Sequence, residues 1–287
     1  MFGKSCYAEN NSLLNKVFKE KTALIAAHRG LWGGNVPDNT PLAYNIALKS
    51  GADIFECDLT KSSDGIIYLF HEGEEKRLLG ITDSLQKLDS NKIDSLGLLN
   101  SIGEPSGVPV QRFEDMIARF KSGEIYNVDR AWNILPETFA ILNRYPHTIN
   151  QAIIKSPVED DILNFIANNP EKYMYMPIVR SMKDVEKVLS YENINTVGME
   201  LIAKTSDHEL YYDENIQFIK SRNLFVWANA IVLSNSDKNI LFGSVDDDLA
   251  LKKNGDLAWG VMFNKGVDII QTDWPFLLKE YRDAYFA

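Results

Sequence analysis

From about residue 125 onward, short β-rich apolar runs alternate with amphipathic stretches. The β-like runs are 125–129, 151–155, 173–179, 196–201, 224–229 and 267–271. Between them, 135–143, 158–168, 182–190 and 214–221 repeat their apolar residues at helical spacing. Strands that each hand over to a helix predict a parallel sheet, because parallel neighbours need a long crossover. Nearer the start, 23–27 and 53–58 read as two more strands. The helix between them is signalled at both ends. Thr40 suits its N-cap, Pro41 its first helical position and Gly51 the position just beyond it. Eight strands in this alternation predict an α/β fold, a (β/α)8 barrel.

Two stretches stand outside the alternation. Residues 66–70 form a ninth β-like run, and the link from Asp58 is too short for a crossover helix. Residues 53–60 and 66–71 are therefore predicted to form a hairpin. Residues 73–110 hold scattered Leu, Ser, Gly and Asp, with Pro105 and Pro109 at the far end. They read as an insertion leaving the top of the barrel, without a core of its own, so 1–287 is read as one domain. At the start of the chain, Leu13, Leu14, Val17 and Phe18 recur at helical spacing and predict a short helix closing one end of the fold. The first twenty residues hold no apolar run long enough for a signal peptide or a membrane span. The expectation is a cytoplasmic protein without integral membrane association.

Charge narrows the partners. Acidic residues outnumber basic ones by 40 to 30, giving a net charge of −10, and no Lys/Arg run appears. That disfavours nucleic acid and broad anionic membrane surfaces. A small anionic substrate stays compatible, because one metal ion reverses the local charge of a pocket. Apolar residues make up 45% of the 287, enough for a core without disulfides. The two cysteines, Cys6 and Cys57, have no metal-type spacing, and Cys57 falls within a strand where a thiol packs as a small apolar group.

The candidate chemistry sits where strands end, which in such a barrel is the face that carries active sites. His28-Arg29-Gly30 follows the first strand directly. Glu56-Cys57-Asp58 ends the second, and residues two apart on a strand share a face at roughly 6.6 Å. Two carboxylates aimed into one barrel mouth repel unless a cation or a proton intervenes, and Mg²⁺ or Ca²⁺ takes such oxygen ligands. Hairpin arithmetic brings in His71. With Ser63-Asp64 as the loop, facing pairs sum to 127 and His71 opposes Glu56. With Asp64-Gly65 as the loop they sum to 129 and His71 opposes Asp58. Two histidines beside a dicarboxylate metal site suit phosphodiester cleavage, one accepting a proton and the other donating one. His147 and His208 lie in loop-like stretches and read as surface residues.

These residues resemble the glycerophosphodiester phosphodiesterases. The match runs through Ala27-His28-Arg29-Gly30, Pro37-Asp38-Asn39-Thr40, Gly51-Ala52-Asp53, Glu56-Cys57-Asp58, Asp64-Gly65, His71-Glu72 and Arg77, and resumes over residues 266–275. The resemblance implies metal-dependent hydrolysis of glycerophosphodiesters to glycerol 3-phosphate and an alcohol. The glycerol 2-hydroxyl is the implied nucleophile, and the route passes through a cyclic phosphate. It implies His28 and His71 as the acid–base pair, Glu56 and Asp58 as ligands of Mg²⁺ or Ca²⁺, and Arg29 as a phosphate contact. The family's third ligand is a Glu with a Lys two positions on; here Asp129 and Ala131 stand there, so Asp129 is expected to complete the metal site.

Lys155 and Glu200 end later strands and are candidates for the missing charge or a further ligand. Trp227 and Asn229 resemble a substrate-lining segment, although a buried Trp with a satisfied indole reads equally well. Asp246-Asp247-Asp248 reads as a helix N-terminus, and Asp273 either orients a neighbour or caps the last helix. Two competing functions share the barrel: a phospholipid-cleaving lyase, and a catalytically silent phosphodiester binder.

Overall fold

The computed structural model describes residues 1–233, 241–243 and 245–287. Its strands, in chain order, are β1 Leu24–Ala27, β2 Ile54–Lys61, β3 Ile67–Leu69, β4 Gly97–Leu99, β5 Pro105–Pro109 and β6 Gln111–Arg112. They continue with β7 Ile125–Asp129, β8 Ala152–Pro157, β9 Met174–Val179, β10 Gly198–Leu201, β11 Phe225–Asn229 and β12 Ile269–Thr272. β1, β2 and β7 to β12 run parallel in sequence order, and β1 pairs with both β2 and β12, which closes an eight-stranded barrel. Each of the eight predicted strands is one of these. β3 and β6 extend β2 outward as antiparallel neighbours.

Alternation along the strands sorts the barrel interior into two layers. At the N-terminal end the inward side chains are apolar: Leu24, Ala26, Ile54, Ile125, Ile153, Met174, Phe225, Trp227 and Ile269 form one cluster. The helix Ser12–Lys21 closes this end with Leu14, Val17 and Phe18, and Phe2 stacks on Phe225 at 3.8 Å. Toward the C-terminal end the same inward series becomes polar, as Glu56, Asp58, Asn127, Lys155, Glu200, Asn229 and Gln271, all buried. A second, larger apolar layer fills the space between strands and outer helices. In the first crossover, Thr40 Oγ1 accepts from Ala43 N at 3.2 Å and Pro41 opens the helix Pro41–Lys49.

The hairpin forms, but in neither predicted register. Leu59 faces Leu69, Thr60 faces Tyr68 and Lys61 faces Ile67, so facing pairs sum to 128. The loop holds three residues, Ser63-Asp64-Gly65, closed by Ser62 N to Ile66 O at 2.8 Å and Gly65 N to Ser62 O at 3.1 Å. Gly65 supplies the left-handed backbone (φ +93°) that such a turn needs. β3 then stops at Leu69, and His71 lies beyond the paired region.

Residues 73–110 also differ from expectation. They form the helices Glu75–Leu79 and Ser90–Asp94 and the β4–β5 hairpin. Leu78, Leu85, Ile93, Leu98 and Val110 pack with Tyr68 and Phe70 into an apolar cluster distinct from the barrel core. The segment therefore has a small core, with the hairpin face that carries Tyr68 and Phe70 as its floor. Among the described residues, no helix is long and apolar enough to cross a membrane.

Candidate active site

At the end of β1 the chain turns through two successive left-handed residues, Arg29 (φ +56°) and Gly30 (φ +81°). Gly30 is needed there, because a Cβ would lie 2.7 Å from the carbonyl carbon of Ala43. The turn aims the Arg29 backbone N–H at Glu56 Oε2, 2.8 Å away. Its guanidinium reaches Asp58 (Nε to Oδ2, 3.1 Å), Glu74 (3.3 Å) and Asp38 (3.8 Å). The Nε contact is an ion pair outside hydrogen-bond alignment.

Glu56, Asp58 and Asp129 place one carboxylate oxygen each within 4.8 Å of one another. β2 and β7 pair in register, Asp58 beside Asp129, which is why acids from two strands meet. Burial pushes the Glu56 carboxyl well above its ordinary range, and repulsion from Asp58 and then Asp129 adds to this. Burial works against Asp58 as well. Arg29, then His71 and His28, and a hydrogen bond from Asn39 nonetheless hold it below the ordinary carboxylate value. Glu56 Oε1 is buried and has no partner among the described residues. A hard-oxygen triad with an orphaned, charge-seeking oxygen fits a divalent cation such as Mg²⁺ or Ca²⁺.

The histidines flank this triad through Asp58. His28 Nδ1 lies 2.9 Å from Asp273 Oδ1, so Asp273 orients His28 and gives the last helix no side-chain cap. His71 is half-buried, its Nδ1 has no partner among the described residues, and burial lowers its pKa against the opposing pull of Asp58. His147 bonds the Ile117 carbonyl at 3.2 Å, and His208 Nδ1 accepts from Leu210 N at 3.3 Å.

Lys155 is 2% exposed and lies 3.0 Å from Asp129 Oδ2, 3.0 Å from Glu200 Oε2 and 3.3 Å from Gln271 Oε1. Burial works to lower its pKa, but Asp129, Glu200 and Glu56 together raise it, so the ammonium stays charged. Glu200 is thus engaged by Lys155, and its Oε1 accepts from Asn229 Nδ2 at 2.6 Å. Trp227 donates from Nε1 to Asn229 Oδ1 at 2.9 Å and has no exposed surface. Trp227 and Asn229, expected to line the substrate, are both buried: Trp227 pairs with Glu200 across the strands, and Asn229 links its indole to the Glu200 carboxylate. The indole lies in the apolar inner layer, closed by the strands around it.

Two supports escaped sequence reasoning. Asn39 (φ +51°) donates to Asp58 Oδ2 at 2.9 Å and accepts from Asp58 N at 3.0 Å, so one amide fixes both ends of that residue. Its signal was an Asn, tolerant of left-handed backbone, just before the helix cap. Asp247 is buried and accepts from Trp259 Nε1 (2.8 Å), Thr272 Oγ1 (2.8 Å) and Asp273 N (3.0 Å). It fixes the residue that holds His28, and burial pushes its own carboxyl up to about 7. Asp246 does cap the helix Asp247–Lys252, accepting from Leu249 N at 2.8 Å.

Comparison with known proteins gives the family of the chain. The model of the glycerophosphoryl diester phosphodiesterase family matches residues 28–228, and one described as a domain of unknown function matches 175–282. A glycerophosphodiester phosphodiesterase of Bacillus subtilis is 24% identical over 226 residues, covering 71% of this chain and 74% of that protein. One from Bacillus altitudinis is 27% identical over 48% of this chain and 56% of its own length. A glycerophosphoryl diester phosphodiesterase structure from Parabacteroides distasonis superposes with a TM-score of 0.73 at 18% identity, covering 92% of this chain and 87% of that one. An Oleispira antarctica phosphodiesterase, solved with sn-glycerol-3-phosphate, gives 0.65 at 17% identity, covering 92% and 97%. With the family model spanning residues 28–228, which hold β2, β7 to β10, most of β11 and both site histidines, the chain belongs to the glycerophosphoryl diester phosphodiesterase family.

Proposed function

We propose that the protein hydrolyses glycerophosphodiesters to glycerol 3-phosphate and an alcohol, with a divalent cation held by Glu56, Asp58 and Asp129. The observation that carries this reading is the acid triad with His28 and His71 both acting on Asp58. The bound cation would neutralise the nonbridging phosphate oxygens as charge builds on them. Arg29 and Lys155 supply fixed positive charge on either side of the triad and orient the phosphate. His71, kept neutral by its burial, accepts the proton of the attacking hydroxyl. His28, with Nδ1 fixed on Asp273, presents Nε2 and donates to the alcohol oxygen as its bond to phosphorus breaks. Asn229 and Trp227 support Glu200, which in turn holds Lys155 in place.

The family placement and the product held by the Oleispira relative support the glycerol 3-phosphate moiety as the common part of the substrate. The test is release of glycerol 3-phosphate from glycerophosphodiesters with Mg²⁺, with Ca²⁺ and with chelator, using His28→Ala and Glu56→Ala as controls. Metal-dependent release lost in both variants is expected. Release that persists in chelator, or in His28→Ala, overturns the assignment.

A further inference from the structure

Beyond the triad along β2 is a cavity of about 410 Å³, whose wall the proposed chemistry does not use. Thr60 connects the two. It is the next inward residue of β2 after Asp58, roughly 6.6 Å further along the strand. It is 3% exposed, its Oγ1 has no hydrogen-bond partner among the described residues, and it lines this cavity. Two more segments run from the site into the cavity wall: His71 continues into Glu72, and Asp129 into Arg130. Arg130 takes a left-handed backbone (φ +59°) with its N–H on Asp129 Oδ1 at 2.7 Å, so the chain reverses as it leaves the strand.

The lining sets the chemistry. We infer that this cavity receives the alcohol half of the diester and is built for a neutral polyhydroxylated alcohol, such as glycerol or a cyclitol. This deepens the phosphodiesterase reading and rests on it. The size falls within the range of small-molecule sites. Hydroxyl, amide, carboxylate and guanidinium groups stand around one aromatic wall: Thr60, Gln86, Asn133, Glu72 and Arg130 around Trp132. Such a set can donate to and accept from several hydroxyls at once.

A quaternary ammonium group suits it less well. The Trp132 face is already covered by the Arg130 guanidinium, 5.8 Å from the ring centroid, so the position a cation would take on that ring is filled by a like charge. Glu72, the one acid of the lining, is cross-braced by Gln86 (Nε2 to Oε2, 2.8 Å). Lys61, also in the wall, is neutralised by Glu137 at 2.6 Å.

The experiment compares kcat/KM of the metal-loaded protein for glycerophosphoglycerol, glycerophosphoinositol and glycerophosphocholine, and repeats it for Thr60→Val and Arg130→Met. Wild type is expected to favour the polyol diesters by at least about tenfold, and each variant to bring that ratio toward one. Free inositol is expected to inhibit wild type competitively and both variants more weakly. Arg130 is exposed, so its variant keeps the test valid even if Thr60→Val folds poorly. Equal or faster turnover of the choline diester overturns the inference while leaving the phosphodiesterase reading standing. A polyol preference retained in both variants assigns the specificity elsewhere and also overturns it. No turnover of any of these, nor of bis(p-nitrophenyl) phosphate, is the separate failure of the underlying activity, and the inference falls with it.

Discussion

Glu56→Gln separates the electrostatic cost of the triad from its use. Three carboxylates hold oxygens within 4.8 Å of one another, and one ionised pair at that distance repels by about 3.5 kcal/mol at an effective dielectric near 20. Asp58 has Arg29 at 3.1 Å and Asp129 has Lys155 at 3.0 Å. Glu56 has one backbone N–H and an orphaned oxygen. Without metal it must keep its proton or ionise against its neighbours. Against an ordinary value of 4.5, keeping the proton at about pH 7.5 costs at most about 4 kcal/mol. Gln still accepts from Arg29 N but carries no charge. The variant is therefore expected to stabilise the metal-free protein by about 1–3 kcal/mol, roughly 2–6 °C in melting temperature.

The sign with pH follows from the raised value. Stability from a raised acid is fully present below its unfolded pKa and is lost as pH rises through the folded one, so near pH 5 the difference shrinks to under about 1 kcal/mol. Metal reverses the order. Wild type gains about 2.7 kcal/mol at a hundred times Kd, while the variant, lacking a charged ligand, gains little. Melting curves in EDTA, Mg²⁺ and Ca²⁺ at both pH values read all of this. A variant less stable than wild type in EDTA at pH 7.5 refutes the repulsion argument, and equal metal shifts in both proteins refute the ligand assignment.

Three further outcomes follow from the supports. Asn39→Ala removes the amide that grips Asp58 at both ends and is expected to weaken metal binding by about 10–100-fold in calorimetry; unchanged affinity counts against it. Lys155→Met leaves Asp129 and Glu200 without their cation and is expected to cost about 3–5 kcal/mol in urea unfolding; a loss below about 1 kcal/mol contradicts the buried pairing. Asp247, pushed up to about 7 from an ordinary 3.8, contributes stability at low pH that fades as pH rises toward 7, by up to about 4 kcal/mol. Asp247→Asn should flatten that slope in denaturation series from about pH 4 to 8, and an unaltered slope removes the argument.

What the sequence made legible is what strand periodicity and chain order encode. The eight barrel strands followed from β-like runs handing over to helical ones, and Glu56 and Asp58 from a two-residue spacing that needs no tertiary knowledge. The hairpin register did not follow, because Ser63-Asp64-Gly65 supports a two- or a three-residue loop and only the folded turn selects one. The small core of 73–110 was hidden for a related reason: its floor, Tyr68 and Phe70, belongs to the hairpin and not to the segment itself. The supporting roles of Asp247 and Asn39 were not legible because their partners lie 26 and 19 residues away in sequence, at Asp273 and Asp58. Trp227 showed its strand position correctly, but burial decides whether an inward ring is floor or wall, and burial is a property of all eight strands together.

Charge bookkeeping at the barrel mouth links the triad to substrate binding itself. Glu56, Asp58, Asp129 and Glu200 carry four potential negative charges, and Arg29 and Lys155 return two. With all four ionised the inner layer stands at −2, and with Glu56 protonated at −1. An anionic phosphodiester approaching either state meets repulsion in a site of low dielectric, on a chain whose net charge is already −10. One divalent cation brings the ionised site to zero. The expected consequence is that metal strengthens phosphate entry before any bond is made or broken. Glycerol 3-phosphate should bind in calorimetry with Mg²⁺ or Ca²⁺ present and lose at least about tenfold in affinity with EDTA. Equal affinity in both conditions would mean that Arg29 and Lys155 alone hold the phosphate and that the triad serves a different end.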